Sequence, residues 1–412
     1  MNNTNKKLIV IGGGAAGFFC AVNAARMQPG LEVMIAEKTG KMLSKVKVSG
    51  GGRCNVTHAC FEISEMVRKY PRGVNFLKRS FHQFFTNDTI AWFEERGVKL
   101  KTEEDGRMFP VTDSSQTIIE CLHREANLYG VQIRMNREVK EITYTNDKWH
   151  VLFAGEESIE ADYICIACGG YSKVTQFRWL IDLGHTVEEP VPSLFTFNLP
   201  NHPIRQLMGV STQAKVKITG SKLNETGPVL ITHWGLSGPA VLRLSAWGAR
   251  ELAQREYDFG IIVNWLPEFN EQTVRVALQL MRAEASQKKV QAHHHFNMPQ
   301  RLWQFLCEQS DITATMRWGD LPSANQNKLV NNLVTYSVQV QGKTSFKEEF
   351  VTAGGIRLSE IDANTMESKK LPGLYFAGEV MDVDGITGGF NFQHAWTSSY
   401  IAAKSIANKA AS

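Results

Sequence analysis

The first apolar run opens almost at the N-terminus. Leu8-Ile9-Val10-Ile11 reads as a buried strand and breaks at Gly12-Gly-Gly14-Ala15-Ala16-Gly17. A helix follows from Ala16 to Met27, and Glu32-Val33-Met34-Ile35-Ala36 is a second strand ending at Glu37. Alternation over Val139 to Thr145 and His150 to Phe153 predicts a hairpin. The run Tyr163 to Ala167 is a further strand, ending in Cys168-Gly169-Gly170. From Ser193 the pattern changes to alternation, as in Ala214 to Thr219 and Phe259 to Val263. A helix with Val274, Leu278 and Met281 on one face follows. Val330 to Val340 returns to strand character. A last strand, Leu374 to Ala377, leads through two glycine turns into a small-residue helix reaching Ala407.

Residues 7 to 37 form one βαβ unit, and its glycines have distinct tasks. Gly12 permits the tight turn, Gly14 lets the backbone approach a pyrophosphate, and Gly17 allows close helix–strand packing. The helix start at Ala15 and Ala16 offers amide donors and a positive dipole end to phosphates. Glu37, with Lys38 beside it, stands 20 residues after Gly17. A carboxylate there accepts hydrogen bonds from ribose hydroxyls and repels a 2′-phosphate. This much fits NAD or FAD.

The C-terminal segment decides between them. Gly378-Glu379 ends a strand and presents a carboxylate suited to a ribityl chain, with Asp384 in the acidic turn after it. Gly388-Gly389-Phe390-Asn391 then opens a helix whose N-terminus suits the pyrimidine end of a flavin, where negative charge gathers on reduction. An NAD-only dehydrogenase needs no such second element, so the cofactor is FAD. Val139, Ala167, Cys168 and Gly169 belong under the adenosine–pyrophosphate portion. The loop Lys45-Val-Lys47-Val-Ser49-Gly50-Gly51-Gly52-Arg53-Cys54-Asn55 invites close backbone approach to a flat ligand. Lys45, Arg53 and Asn55 supply charge and hydrogen bonds beside it.

Composition narrows the rest. At 412 residues the chain suits two or three domains, and 43% apolar with 21% charged residues is ordinary globular usage. A net charge of +4 without a clustered basic stripe predicts no nucleic-acid partner. The absence of an apolar run of about 20 residues, and of a leader, predicts a cytoplasmic protein off the membrane. Seven scattered cysteines argue for reduced thiols. Cys165 and Cys168 have redox spacing but lie in a strand, and Cys54 and Cys60 are not spaced as a catalytic disulfide. His293-His294-His295 lacks Cys or acidic company, so no metal is expected.

The blocks Gly12–Gly17, Ser49–Asn55, Thr232-His-Trp-Gly235-Leu-Ser-Gly-Pro239-Ala240, Val351-Thr-Ala-Gly-Gly355 with Thr365–Lys369, and Gly378–Asn391 occur in order. Together they resemble the bacterial BaiN-like flavoproteins, NAD(P)/FAD-dependent oxidoreductases that include aminoacetone oxidase-like members. The resemblance implies an α/β, two-dinucleotide-binding-fold flavoprotein. Its Rossmann-like FAD domain, 1–193 and 352–412, is split by an insertion over 194–351. That insertion is β-barrel-like at 194–265 and 330–351 and helical at 266–329. The implied activity is hydride transfer between FAD and a small organic substrate, either C=C reduction or amine oxidation, with NAD(P)H as a transient reductant. The alternative is a flavin-binding protein acting on tRNA or without catalysis. Catalytic residues are not assigned; Arg53, His233 and His394 are the candidates. Oligomeric state is not legible.

Overall fold

A computed structural model describes residues 6–344 and 351–412. The chain forms two compact units, Met1–Ser193 with Lys347–Ser412, and Leu194–Phe346.

The first unit is built on a five-stranded parallel sheet. β1 (Lys7–Ile11) is central, α1 (Ala15–Met27) follows it, and β2 (Glu32–Ala36), β3 (Gln132–Arg134), β4 (Tyr163–Ile166) and β5 (Leu374–Phe376) complete the order β5-β4-β1-β2-β3. In register, Leu8 stands between Tyr163 and Val33. A parallel sheet covered on both faces needs strands that are apolar throughout, and β4 and β5 are buried at every residue. α1 packs on the C-terminal helix α2 (Phe390–Ala411), both rich in small residues that let the backbones approach. Polar pins fix α2. Gln393 Oε1 accepts from Thr57 Oγ1 at 2.6 Å and Thr89 Oγ1 at 3.1 Å, and Trp396 Nε1 donates to Val56 O at 2.9 Å.

The hairpin expected after residue 139 pairs Val139–Thr145 with Lys148–Phe153. It turns at Asn146 and Asp147, both at positive φ (52° and 57°), the geometry that matches strand twist. Ser158–Ala161 adds a third strand. The small antiparallel sheet Thr57–His58, Arg107–Pro110, Leu100–Thr102 is absent from the sequence reading, being too short to show a period.

The second unit holds a seven-stranded antiparallel sheet. Its edge strands, Tyr336–Gln341 and Lys343–Thr344, are consecutive in the chain. The bend at Gly342, φ +84° with its carbonyl accepting from Asn198 N at 3.2 Å, joins one edge to the other and makes the sheet barrel-like. Helices Glu271–Glu284, Gln300–Glu308 and Ser323–Val334 form the helical part, with Val274, Leu278 and Met281 buried as their spacing predicts. One reading is corrected. Val330 to Val334 is helical, since Leu329, Val330, Leu333 and Val334 are buried at helical spacing, and the strand starts at Tyr336. The end of the expected barrel-like segment, 345–350, lies outside the described residues.

Candidate functional site

The C-terminal ends of β1, β2, β4 and β5 lie side by side in the first unit, where ligands of open α/β sheets bind. Gly12 turns out of β1 at φ +114°, and a Cβ there would meet Ala167 O at 2.4 Å. A Cβ on Gly17 would lie 1.8 Å from Gly12 O. These two glycines let helix and strands close up. Gly14, before Ala15 and Ala16, has nothing within 4 Å of its Cβ position. Phe18 N is the first helix amide to bond Gly14 O, so the preceding amides are left for another acceptor.

Glu37 is half-buried at the end of β2. Its Oε2 accepts from Gly13 N at 2.8 Å, and its Oε1 accepts from Thr39 N and Oγ1 at 2.9 and 2.8 Å. Beside it opens a cavity of about 200 Å³ lined by Gly12, Glu37, Lys38, Val139, Cys168 and Tyr171, among others. Lys38 Nζ stands 5.6 Å over the Tyr171 ring. Gly12, Glu37, Lys38, Val139 and Cys168 are expected site residues that meet here, whereas Arg137, Glu138, Tyr171, Gln176 and Trp179 line the cavity without having been expected. Tyr171 directly follows Gly169-Gly170, and an aromatic after a strand-end glycine pair was the available signal. Burial pushes the Cys168 thiol up to about 11, so it stands protonated. Cys165 of β4 faces Cys20 of α1.

The second centre lies at β5 and α2. Gly378, φ +73°, presses on Ala16, where a Cβ would come within 2.8 Å of the Ala16 Cβ. Its N–H donates to Ser398 Oγ at 2.9 Å, and its carbonyl lies 3.2 Å from His394 Nε2. Glu379 Oε1 accepts from Thr352 N at 2.8 Å, and Oε2 pairs with Lys45 at 2.6 Å. Thr352 Oγ1, buried alongside, has no partner among the described residues. A Cβ on Gly170 would lie 2.6 Å from that hydroxyl. The glycine pair after β4, the Gly378 turn and Lys45 thus converge.

The loop 44–55 starts as a helical turn, not as plain loop, and leaves the helix at Ser49, which is extended (φ −61°, ψ 147°). Gly50, Gly51 and Gly52 are all left-handed; a Cβ on Gly50 would strike the Phe109 ring at 2.8 Å, whereas Gly51 and Gly52 face open space. Cys54 is left-handed and buried, and burial pushes its thiol up to about 12. Asn55, in the amide orientation that satisfies both its ends, donates to Thr57 O and accepts from Gly389 N at 2.9 Å each. That bond ties the glycine loop to the start of α2.

Several expected site residues serve the scaffold. Arg53 pairs with Glu103 at 2.6 Å and stacks 4.0 Å over Phe109, turned to the small sheet. Asp384 is fully buried, paired with Arg72 and accepting from Ser193 Oγ at 2.9 Å, so its carboxylate faces the core. Asn391 closes the turn before α2, its Oδ1 accepting from Gly385 N at 2.8 Å and its Nδ2 donating to Gly385 O at 2.9 Å. Phe390 is buried, stacked on His58 at 4.6 Å. His394 is buried behind Gly378, and burial pulls its imidazole down to about 4. It braces the turn as a neutral ring. His233, in the second unit, is exposed. Among the described residues no His, Cys, Asp and Glu group is placed to hold a metal, and no helix is long and apolar enough to cross a membrane.

A parallel sheet, a glycine turn feeding a helix, and an acid at the end of the second strand define a Rossmann-type α/β protein interrupted by an insertion. The chain belongs to the HI0933-like Rossmann domain family, whose model matches residues 6–405. It is similar to a 3-dehydro-bile acid delta(4,6)-reductase of Clostridium scindens, 29% identical over 97% of this chain and 98% of that protein. It is likewise similar to a ribosomal RNA dihydrouridine synthase of Escherichia coli, 31% identical over 97% of each. Of solved structures, a 3-ketosteroid-delta4-(5alpha)-dehydrogenase of Rhodococcus jostii shares the fold. Its TM-score is 0.51 at 10% identity, with 99% of this chain and 98% of that one covered.

Proposed function

We propose that the chain is an FAD-dependent oxidoreductase that saturates a C=C bond conjugated to a carbonyl. One observation carries the cofactor: the open backbone at Gly14, the Glu37 cavity and Glu379 lie along one edge of the parallel sheet, with the Thr352 hydroxyl, unpartnered among the described residues, beside Glu379. A dinucleotide whose second half carries a polyol chain matches that series. Gly12 to Gly17 would hold the pyrophosphate, Glu37 the adenosine ribose, and Val139, Cys168 and Tyr171 the adenine. Glu379, Thr352 and Lys45 would hold the ribityl chain. Gly51, Gly52 and the first turn of α2 would border the flavin ring, the helix dipole favouring negative charge there. When bound, the flavin supplies hydride transfer.

The choice of reaction rests on the relatives. The names of the bile acid reductase and the dihydrouridine synthase both describe adding two hydrogens across a C=C bond conjugated to a carbonyl, in a 3-oxo-diene and in a uracil ring. Such a bond accepts hydride at the carbon remote from the carbonyl. NAD(P)H is the reductant in this reading. The chain has one GxGxxG, so the nicotinamide visits the substrate's place and leaves. Anaerobic stopped-flow mixing of the flavin-loaded protein with NADH or NADPH tests this step. Bleaching of the flavin absorbance is expected, and a flavin that stays oxidised with both would overturn it.

A further inference from the structure

The short strand Thr57–His58 is pressed against the turn that opens α2. A Cβ on Gly389 would lie 2.5 Å from Thr57 O, and one on Gly388 would lie 3.6 Å from His58 Nδ1. That Nδ1 stands 3.0 Å from Gly388 O. A carbonyl only accepts, so Nδ1 carries the hydrogen and Nε2 keeps the lone pair. The ring stacks on Phe390, 4.6 Å away and 29° from parallel. Gly106 makes room for it: a Cβ there would lie 2.5 Å from Nε2, and its φ of +84° suits glycine. The imidazole is thus seated among the Gly388 carbonyl, the Phe390 ring and the Gly106 turn, and is half-buried. Its Nε2 makes no hydrogen bond among the described residues.

Other titratable groups around this turn are held in one charge state near neutral pH. His394 is buried and neutral, its imidazole pulled down to about 4. Tyr70 donates its hydroxyl to Phe390 O at 2.6 Å, and burial pushes it well above its ordinary value. Burial pushes the Cys54 thiol up to about 12. His58 is under divided influence instead. Burial pulls it below its ordinary value and the bond to Gly388 O raises it, while Lys69 and Arg107 repel the cation and Asp105 attracts it. The Phe390 ring face carries partial negative charge and favours the cation. A further negative charge arriving at the turn therefore tips the ring towards protonation.

We propose that His58 compensates the charge of the reduced flavin: it holds the Gly388 carbonyl through Nδ1 and takes a proton from solvent at Nε2 as the flavin gains its electrons. This rests on the flavin reading above, with the first turn of α2 bordering the ring, and not on the choice of alkene. A hydride from NAD(P)H brings two electrons and one proton, leaving NAD(P)+ and one negative charge at the ring. The second proton comes from solvent, binds Nε2 and returns to solvent on reoxidation. In this role His58 acts through the turn, as a positioning residue.

The test is the midpoint potential of the flavin bound to the full chain, measured against reference dyes from about pH 5 to 8. One pH unit is a tenfold change in proton activity, about 30 mV per proton for a two-electron couple. The wild-type potential is expected to fall by about 30 mV per unit at the alkaline end and by about 60 mV per unit in a window below it, where His58 takes its proton with the electrons. His58→Gln keeps a donor for Gly388 O and cannot become charged, so its slope should stay at about 30 mV per unit throughout. Lys69→Gln removes a repelling cation and should move the window to higher pH, whereas Asp105→Asn should move it lower. Flavin content and melting temperature are read for each variant, and if His58→Gln does not fold the two charge variants decide. A wild-type slope without the window overturns the proposal. So does a window that persists in His58→Gln or ignores both charge variants. Protein that retains no flavin overturns the cofactor reading and this role with it. A flavin that shows the window but reduces no conjugated alkene keeps the role of His58 and refutes the alkene reading.

Discussion

Two glycines three residues apart illustrate how differently the same residue type is constrained. Gly17 has no room for a methyl group, since Gly12 O would lie 1.8 Å from it and backbone cannot step aside. Gly17→Ala is therefore expected to cost about 3 kcal/mol or more by overpacking, read as a lower melting temperature. Gly14 faces open space. Gly14→Ala should keep the fold to within about 1 kcal/mol, the usual scale of an N-cap change, and lose FAD affinity, measured as flavin retained on gel filtration. If both variants lose stability equally, Gly14 is a packing residue and the pyrophosphate assignment fails. The Arg72–Asp384 pair is a second case. Asp384 is fully buried and Arg72 is 13% exposed. Arg72→Met leaves the carboxylate with Ser193 as its bonded partner, so a loss of about 3–5 kcal/mol is expected near neutral pH. Burial already raises the Asp384 pKa, and losing the guanidinium raises it further. The folded state then holds its proton more tightly than the unfolded chain. The deficit must therefore be full above the folded pKa and shrink as pH falls towards the unfolded value. Urea titrations of the variant from neutral pH into acid check the sign.

At the scale of elements, α2 carries more than its apolar faces. Its first turns lock the Gly385 turn through Asn391, receive Asn55 at Gly389, and brace Gly378 through His394. The imidazole is pulled down to about 4. Its folded pKa lies below the unfolded one, so stability is complete above about pH 6.5 and is lost as pH falls towards 4. The loss is on the order of 3 kcal/mol from this group. His394→Gln should flatten that part of the pH–stability profile, and an unchanged profile would contradict the buried, neutral assignment. Elements made by neighbours in sequence were legible: the βαβ unit, the hairpin at 139–153 and the face of Val274, Leu278 and Met281 all follow from local period. Elements decided by distant partners were not. The carboxylate of Asp384 reads as available until Arg72, 312 residues away, is seen to meet it. The cation of Arg53 reads as a ligand until Phe109 and Glu103 claim it. Val330 to Val334 reads as strand because three apolar residues in a short span carry no unambiguous period.

At the scale of the whole molecule, the chain assembles its dinucleotide site from parts that lie far apart in sequence. β4 and β5 insert beside β1 in the order β5-β4-β1, so residues near 168 and 378 reach the fingerprint at residues 12–17. That convergence was legible as chemistry, through the glycine pairs and acids, and not as geometry, since nothing local reports strand order. The insertion folds as its own compact unit, and the bend at Gly342 joins the two edge strands of its sheet. The most direct test of the account is a single-turnover reaction that needs no nicotinamide. The flavin-loaded protein is photoreduced without oxygen and mixed with a carbonyl-conjugated alkene, as a steroid 4-en-3-one and as uridine within RNA, while flavin absorbance is followed. The account predicts that one of them reoxidises the flavin with one saturated bond formed per flavin. A flavin that stays reduced with every such alkene, yet is reduced from its oxidised form by a primary amine, would contradict it.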